Sequence, residues 1–209
     1  MLELQKKKLN VLLRKINQNV QLKEQYDSKW HRIIHFLHKN TRCKIAKVAV
    51  AGSKAKQTDY HKSDLDIIFC TSPEIAIIKV LNHIKEKANE NFKDVAYVSK
   101  SKRAVHVDFK HPKLEIEIVY LALQEFNKEH NEIKDFGKLP EFKKNAIKLA
   151  KYAIDKTIGE AIKGRQIEIK CINSNCKSLI ACINECIHSF SGILKKKGYK
   201  IKDVLKYLT

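Results

Sequence analysis

The sequence is poor in the residues that interrupt regular structure. Its 209 residues include only three Pro and six Gly, with no Pro/Gly-rich linker, internal repeat or low-complexity segment. Most of the chain is therefore expected in helices and strands. It also lacks any run of 18 uncharged apolar residues. The nearest, Ser178 to Leu194, is interrupted by Glu185 and is more than a third polar. A membrane-spanning helix is excluded on that ground. The opening residues do not run basic, then apolar, then small, so no secretory signal is read. The first twenty contain no Ser and only Arg14 for Arg, which argues against a mitochondrial address. With no export signal, the six cysteines are expected as free thiols in a reducing compartment, and the chain as cytoplasmic.

Acid is scarce. Lys plus Arg number 42 against 23 Asp plus Glu, a formal charge of +19. The charge is spread along the chain and not gathered in one tail. It implies a polyanionic partner, RNA above all, bound in a salt-sensitive way. The apolar fraction of 44% is enough for a buried core. The length suits one domain, or two small ones sharing an interface.

Periodicity changes twice along the chain. Leu2, Leu9, Leu12, Leu13 and Ile16 recur at helical spacing over 2–18, and Trp30, Ile33, Ile34 and Leu37 do so over 28–38, where Asp27 or Ser28 can cap. Lys44–Gly52 then alternates as a strand, and Leu65–Cys70 is a second. Pro73–Asn89 follows as a helix with Pro in its first turn. Val95–Ser99, Ala104–Lys110 and Leu114–Leu121 are three more strands, with His111-Pro112-Lys113 as the turn between the last two. After Gln124 the pattern is helical over Leu139–Ile162, Cys176–Leu194 and Lys200–Leu208. The expected fold is α+β, a mixed sheet with flanking helices followed by a small helical unit, with the boundary near 124–138.

The stretch from Val48 to Phe69 carries the chemistry. A strand runs into Gly52-Ser53, where a short polar helix can start. A glycine at that turn lets backbone approach a ligand closely. Freed N–H groups at the helix start favour an anion. The Ser53 hydroxyl and the Lys54 and Lys56 ammoniums complete a phosphate cradle. Ten residues after Ser53 comes Ser63-Asp-Leu-Asp66. On a strand Asp64 and Asp66 share a side, while Leu65 and Ile67 face the core. Two adjacent carboxylates repel and need a cation between them. Oxygen ligands at this density suit Mg²⁺ or Mn²⁺ rather than zinc. A third acid is available on Leu114-Glu-Ile-Glu-Ile-Val-Tyr120, where Glu115 and Glu117 lie opposite an apolar face. Asp108, on the preceding strand with His106 on its side, competes for the place.

This pattern of Gly52-Ser53, Gln57-Thr58, Asp64-x-Asp66 and a later strand acid resembles the DNA polymerase β-like nucleotidyltransferase superfamily. Gly52-Ser-Lys-Ala-Lys-Gln-Thr58 looks most like the turn of archaeal CCA-adding enzymes and of relatives of oligoadenylate and cyclic-dinucleotide synthases. Leu114-Glu-Ile-Glu-Ile-Val119 is similar to their strand bearing the third acid, which favours Glu117. Ile147-Lys-Leu-Ala-Lys-Tyr-Ala153 and Ile172-Asn-Ser-Asn-Cys-Lys-Ser-Leu-Ile180 resemble the family's later helices, which implies Lys151 and Ser174 as triphosphate contacts beside Gly52, Ser53, Lys54 and Ser63. The sequence departs from the pattern with Gln57 where relatives have Gly, and with Glu117 in place of Asp.

The resemblance implies a polymerase β-like catalytic core with N-terminal helices over 1–123, and a helical domain completing the nucleotide cleft over 124–209. It implies an enzyme: a template-independent nucleotidyltransferase with NTP, ATP favoured, as donor and a nucleotide or RNA hydroxyl as acceptor. Asp64, Asp66 and Glu117 would serve as catalytic residues and ligands of two Mg²⁺ or Mn²⁺ ions. RNA activation in the manner of an oligoadenylate synthase is one version. The alternative is a catalytically weak RNA-binding module with the same fold.

Two other clusters are read plainly. Cys171, Cys176, Cys182 and Cys186 lack the paired Cys-x-x-Cys spacing of a zinc site and are expected as thiols of a helix core. His31, His35 and His38 share a helix face without an acid and are expected at the surface.

Overall fold

The computed structural model describes residues 2–17, 20–41, 44–60, 64–110 and 114–209. In chain order the elements are α1 (Leu2–Asn17), α2 (Val20–Asn40), β1 (Lys44–Val50), α3 (Gly52–Ala55), β2 (Leu65–Ser72), α4 (Ile77–Asn91), β3 (Val95–Lys100), β4 (Ala104–Phe109), β5 (Leu114–Tyr120), α5 (Leu123–Gly137), α6 (Glu141–Ile158), α7 (Gly164–Asn173), α8 (Leu179–His188), α9 (Ser191–Lys196) and α10 (Ile201–Leu205). The chain divides into two compact units. One is Val20–Lys56 with Ser63–Gly137. The other is Met1–Asn19, Gln57–Lys62 and Lys138–Thr209.

The first unit is built on a five-stranded mixed sheet in the order β1-β2-β5-β4-β3. Only β2 and β5 are parallel; the other neighbours are antiparallel. Alternation sorts the strand side chains. Leu65, Ile67 and Phe69 of β2, Ile116 and Ile118 of β5, and Val105, Val107 and Phe109 of β4 enter one core with Ile33 and Leu37 of α2 and Leu81 and Ile84 of α4. Each fully buried aliphatic side chain there contributes about 1.5–3 kcal/mol. On the opposite face, Ile68 and Cys70 pack with Ala51 and with Phe126 of α5. α5 thus covers one part of that face, and the acids of β2 and β5 occupy another.

Three elements of this unit differ from the sequence reading. α2 starts at Val20, so Asp27 and Ser28 lie within it and not at its start. The helix after β2 starts at Ile77, with Pro73 outside it. Residues 73–76 are held by other bonds: Thr71 donates to the Pro73 carbonyl, and the Ile75 N–H donates to the Tyr120 hydroxyl. The Glu74 carboxylate also accepts from the Leu123 N–H. The third difference is α5, which falls where the sequence places only a boundary. It is mostly polar, and within it only Phe126 and Phe136 are buried.

The second unit is helical. Ile147, Leu149, Ala150, Ala153 and Ile154 of α6 are buried, as are Ile167 and Cys171 of α7 and Ile183 and Ile187 of α8. Leu9, Leu13 and Ile16 of α1 are buried as well. The single helix expected over Cys176–Leu194 is two, α8 and α9, and α7 precedes them. Ser178 caps α8 by accepting from the Ala181 N–H, and the turn after His188 buries Phe190 and Leu194. No helix among the described residues is long and apolar enough to cross a membrane.

Candidate active site

Strand register brings the acids together. Asp66 pairs with Glu117 across the parallel β2–β5 contact. Asp64, two residues earlier, projects to the same side. One oxygen from each of Asp64, Asp66 and Glu117 lies within 4.8 Å of the others. The other two candidates for the third acid, Glu115 and Asp108, face each other across β5–β4.

The turn after β1 is fitted to Asp66. The Ala51 N–H donates to the Asp66 carbonyl at 2.8 Å. Gly52 has φ +59, and a Cβ there would lie 1.6 Å from Asp66 Oδ2. Both the backbone sign and the space demand glycine. Ser53 and Lys54 follow, half-buried, on the single turn α3.

Burial, the Asp64 charge, the hydrogen bond with Glu117 and the Glu117 charge push the Asp66 carboxyl up to about 8, against a smaller pull from Lys56. The cluster is therefore short of positive charge. Its donors are all carboxylate oxygens, which suits a hard divalent cation such as Mg²⁺ or Mn²⁺.

Lys56 is buried, 4% exposed, with Nζ 2.9 Å from Glu132 and 3.5 Å from Glu129, and it lies over the Phe136 ring. Sequence reasoning misses this link to α5. The signal is present, because Glu129, Glu132 and Phe136 share a helix face, but it can be read only once α5 is known to be a helix. His106 is the other neighbour of the acids. It pairs with Glu117 across β4–β5, with Nε2 3.8 Å from Glu117 and Nδ1 3.6 Å from Glu115.

Ser63 falls outside the described residues, as does the 111–113 turn. Lys151 and Ser174 belong to the helical unit. Lys151 is 5% exposed, with Nζ 2.7 Å from Glu168. Ser174 is buried and donates to the Cys171 carbonyl at 2.6 Å.

Cys171, Cys182 and Cys186 are buried free thiols, and Cys176 is partly buried. The hydrogen bond with Cys171, and then burial, push the Cys182 thiol far up. These are unreactive core thiols. His31, His35 and His38 are exposed. Among the described residues the acid trio is the sole His/Cys/Asp/Glu group with metal-binding spacing.

Neither a protein-family model nor a curated protein matches the chain. Solved structures do. The chain is similar to the non-canonical poly(A) polymerase of the GLD-2–GLD-3 complex, with TM-score 0.70 and 10% identity over 90% of this chain and 76% of that one. It is similar to the Cid1 poly(U) polymerase bound to MgGTP, with TM-score 0.67 and 10% identity over 90% and 74%. It is also similar to CdnC of E. coli MS115-1 with ATP, with TM-score 0.61 and 17% identity over 91% and 72%. Against the CdnC–HORMA complex the chain spans 64% of the other chain's length. The matching structures include cyclic-dinucleotide synthases and poly(A)/poly(U) polymerases, members of the polymerase β-like nucleotidyltransferase superfamily, and the chain has their fold.

Proposed function

We propose that the chain is a template-independent nucleotidyltransferase that moves NMP from an NTP, with ATP favoured, to a hydroxyl of a nucleotide or RNA. The observation that carries this is the fit of Gly52 against the Asp66 carboxylate, beside a three-carboxylate cluster on adjoining parallel strands. Asp64, Asp66 and Glu117 would hold Mg²⁺ or Mn²⁺, which supplies charge to the triphosphate and lowers the pKa of the attacking hydroxyl. Gly52 backbone, the Ser53 hydroxyl and the Lys54 ammonium would orient the triphosphate. Glu117 accepts the proton of the acceptor hydroxyl. The new bond joins that oxygen to the α-phosphorus, the bond from the α-phosphorus to its bridging oxygen breaks, and pyrophosphate leaves.

RNA, as acceptor or as oligoadenylate synthase-like activator, would dock on the helical unit. That unit holds 22 basic and 8 acidic residues, a net +14, against 20 and 15, a net +5, for the sheet unit. Its last helices expose Lys195, Lys196, Lys197, Lys200, Lys202 and Lys206 around Tyr199, which is 41% exposed. Cations beside an exposed aromatic suit a phosphate backbone with a base stacked on the ring.

One observation favours a second reading, a catalytically weak RNA-binding module. Gln57, where relatives have Gly, has φ +57, a backbone region disfavoured for side-chain residues. Incubation with each labelled NTP and Mg²⁺ or Mn²⁺, with and without single- and double-stranded RNA, separates the two. Pyrophosphate release that disappears in Asp64→Asn/Asp66→Asn supports the enzyme. RNA binding by both proteins without turnover supports the module.

A further inference from the structure

Among the described residues, the helical unit buries Lys144, Lys151 and Glu168, and two of these ions form one network with the neutral side chain of Thr58. Thr58 is 0% exposed, Glu168 3% and Lys151 5%. Glu168 Oε1 accepts from Lys151 Nζ at 2.7 Å and from the Thr58 hydroxyl at 2.9 Å. Lys151 Nζ also reaches the Thr58 carbonyl at 3.2 Å and its hydroxyl oxygen at 3.3 Å. These contacts draw on the hydrogens of the ammonium, which can only donate. The other Glu168 oxygen lies 3.6 Å from Arg165. A Cβ on Gly164 would come within 3.2 Å of Lys151 Cε, so the lysine stem is closely packed. One residue before Thr58, Lys144 (6% exposed) donates to the Gln57 side-chain carbonyl at 2.9 Å.

Gln57 and Thr58 are not ordinary members of the helical unit. They lie in the short chain segment between α3, which carries Ser53 and Lys54, and β2, which carries Asp66. The segment groups with the helices, while the elements on either side of it group with the sheet. Thr58 is thus joined by a short run of covalent chain to α3 on one side and to β2 on the other. A buried ion pair bonded to Thr58 from both of its members can hold it in place, because removing either charge takes from the other its buried partner.

We propose that Lys151 and Glu168 are positioning residues that clamp Thr58, with the Lys151 ammonium committed to the clamp and not to a triphosphate. The mechanistic half rests on the nucleotidyltransferase reading. The clamp itself does not, and is measured separately.

The test compares Lys151→Met, Glu168→Gln, Thr58→Val and the Lys151→Met/Glu168→Gln double variant by hydrogen exchange and by NTP kinetics. The clamp predicts exchange at the Gln57–Asp59 amides about tenfold faster in each single variant. It predicts kcat down about tenfold or more with the NTP KM changed less than twofold. The double variant, free of an unpaired buried charge, should be less impaired than Glu168→Gln alone. Thr58→Ser, which keeps the hydroxyl, should restore protection. A triphosphate lysine predicts otherwise: Lys151→Met raises the NTP KM, Glu168→Gln leaves or lowers it, and exchange at Gln57–Asp59 is unchanged. That outcome overturns the proposal. If Glu168→Gln does not fold, the Thr58→Val and Thr58→Ser pair carries the exchange test. A wild type without turnover sinks the enzyme reading, while the exchange data still decide the clamp.

Discussion

The acid cluster and the helical unit treat charge in opposite ways. The sheet unit gathers Asp64, Asp66 and Glu117 where they repel one another, and its central carboxyl is pushed to about 8. The helical unit, although far more basic, gives its buried cations partners: Lys151 has Glu168, and Lys144 has the Gln57 side-chain carbonyl. Paired buried charge holds a structure, whereas unpaired like charge is kept only where something else will neutralise it. The contrast separates residues that shape the protein from those proposed above to hold a ligand.

The strongest way to break that contrast is to relieve the repulsion. Asp66→Asn should abolish NMP transfer, by about 10³-fold or more, without lowering the melting temperature. Mg²⁺ or Mn²⁺ should raise the melting temperature of the wild type and not that of the variant. Pyrophosphate release and thermal melts check both. Next is Gly52→Ala, whose methyl group would overlap the Asp66 carboxylate in a left-handed backbone. We expect about a 10²-fold loss of turnover and about 1–2 kcal/mol of stability, read by kinetics and denaturant titration.

The basic side of the comparison is tested by RNA titration at several salt concentrations. Replacing Lys195, Lys196, Lys197 and Lys200 with Ala should weaken binding about tenfold or more. It should also flatten the slope of log K against log salt by about 0.7 for each RNA phosphate that is no longer neutralised. Replacing the sheet unit's exposed Lys79 and Lys93 should leave that slope unchanged.

The smallest effect concerns an ion pair within the sheet unit. Burial tends to raise the Asp94 carboxyl, but hydrogen bonds from Arg32 and Lys29 outweigh it and hold the group at about 2. A carboxyl lowered on folding stabilises the protein above its unfolded value and loses that contribution as pH falls from about 4 towards 2. Because the carboxylate is one-third exposed, about 1 kcal/mol is expected. Asp94→Asn should remove that part of the acid-side slope in melts between pH 5 and 2.

Much of this is legible residue by residue. Alternation along Leu65–Phe69 and Leu114–Tyr120 announces both the strands and the shared side of Asp64 and Asp66, because strand periodicity is local. The turn glycine is legible too, but the reason for it is not. That Gly52 abuts Asp66 depends on β1 lying beside β2. α5 is hidden because its burial rests on two phenylalanines, with too few apolar positions to show a helical period. The start of α4 is misread because Pro73 is suited to a first helical turn, while Tyr120, from a distant strand, holds the chain there in another conformation.

The sequence by itself determined the local facts: strand alternation, the Gly-Ser turn, the acid-x-acid spacing, the strongly basic charge and the lack of a long uncharged apolar run. These follow from side-chain type and from neighbours a few residues away. Only tertiary structure paired Asp66 with Glu117, 51 residues apart, and set Lys151 against Thr58 and Glu168. Which acid meets which, and whether a lysine is committed to a partner, depends on strand register and helix packing. Both are settled by burying apolar faces far apart in the chain, and no local pattern encodes them.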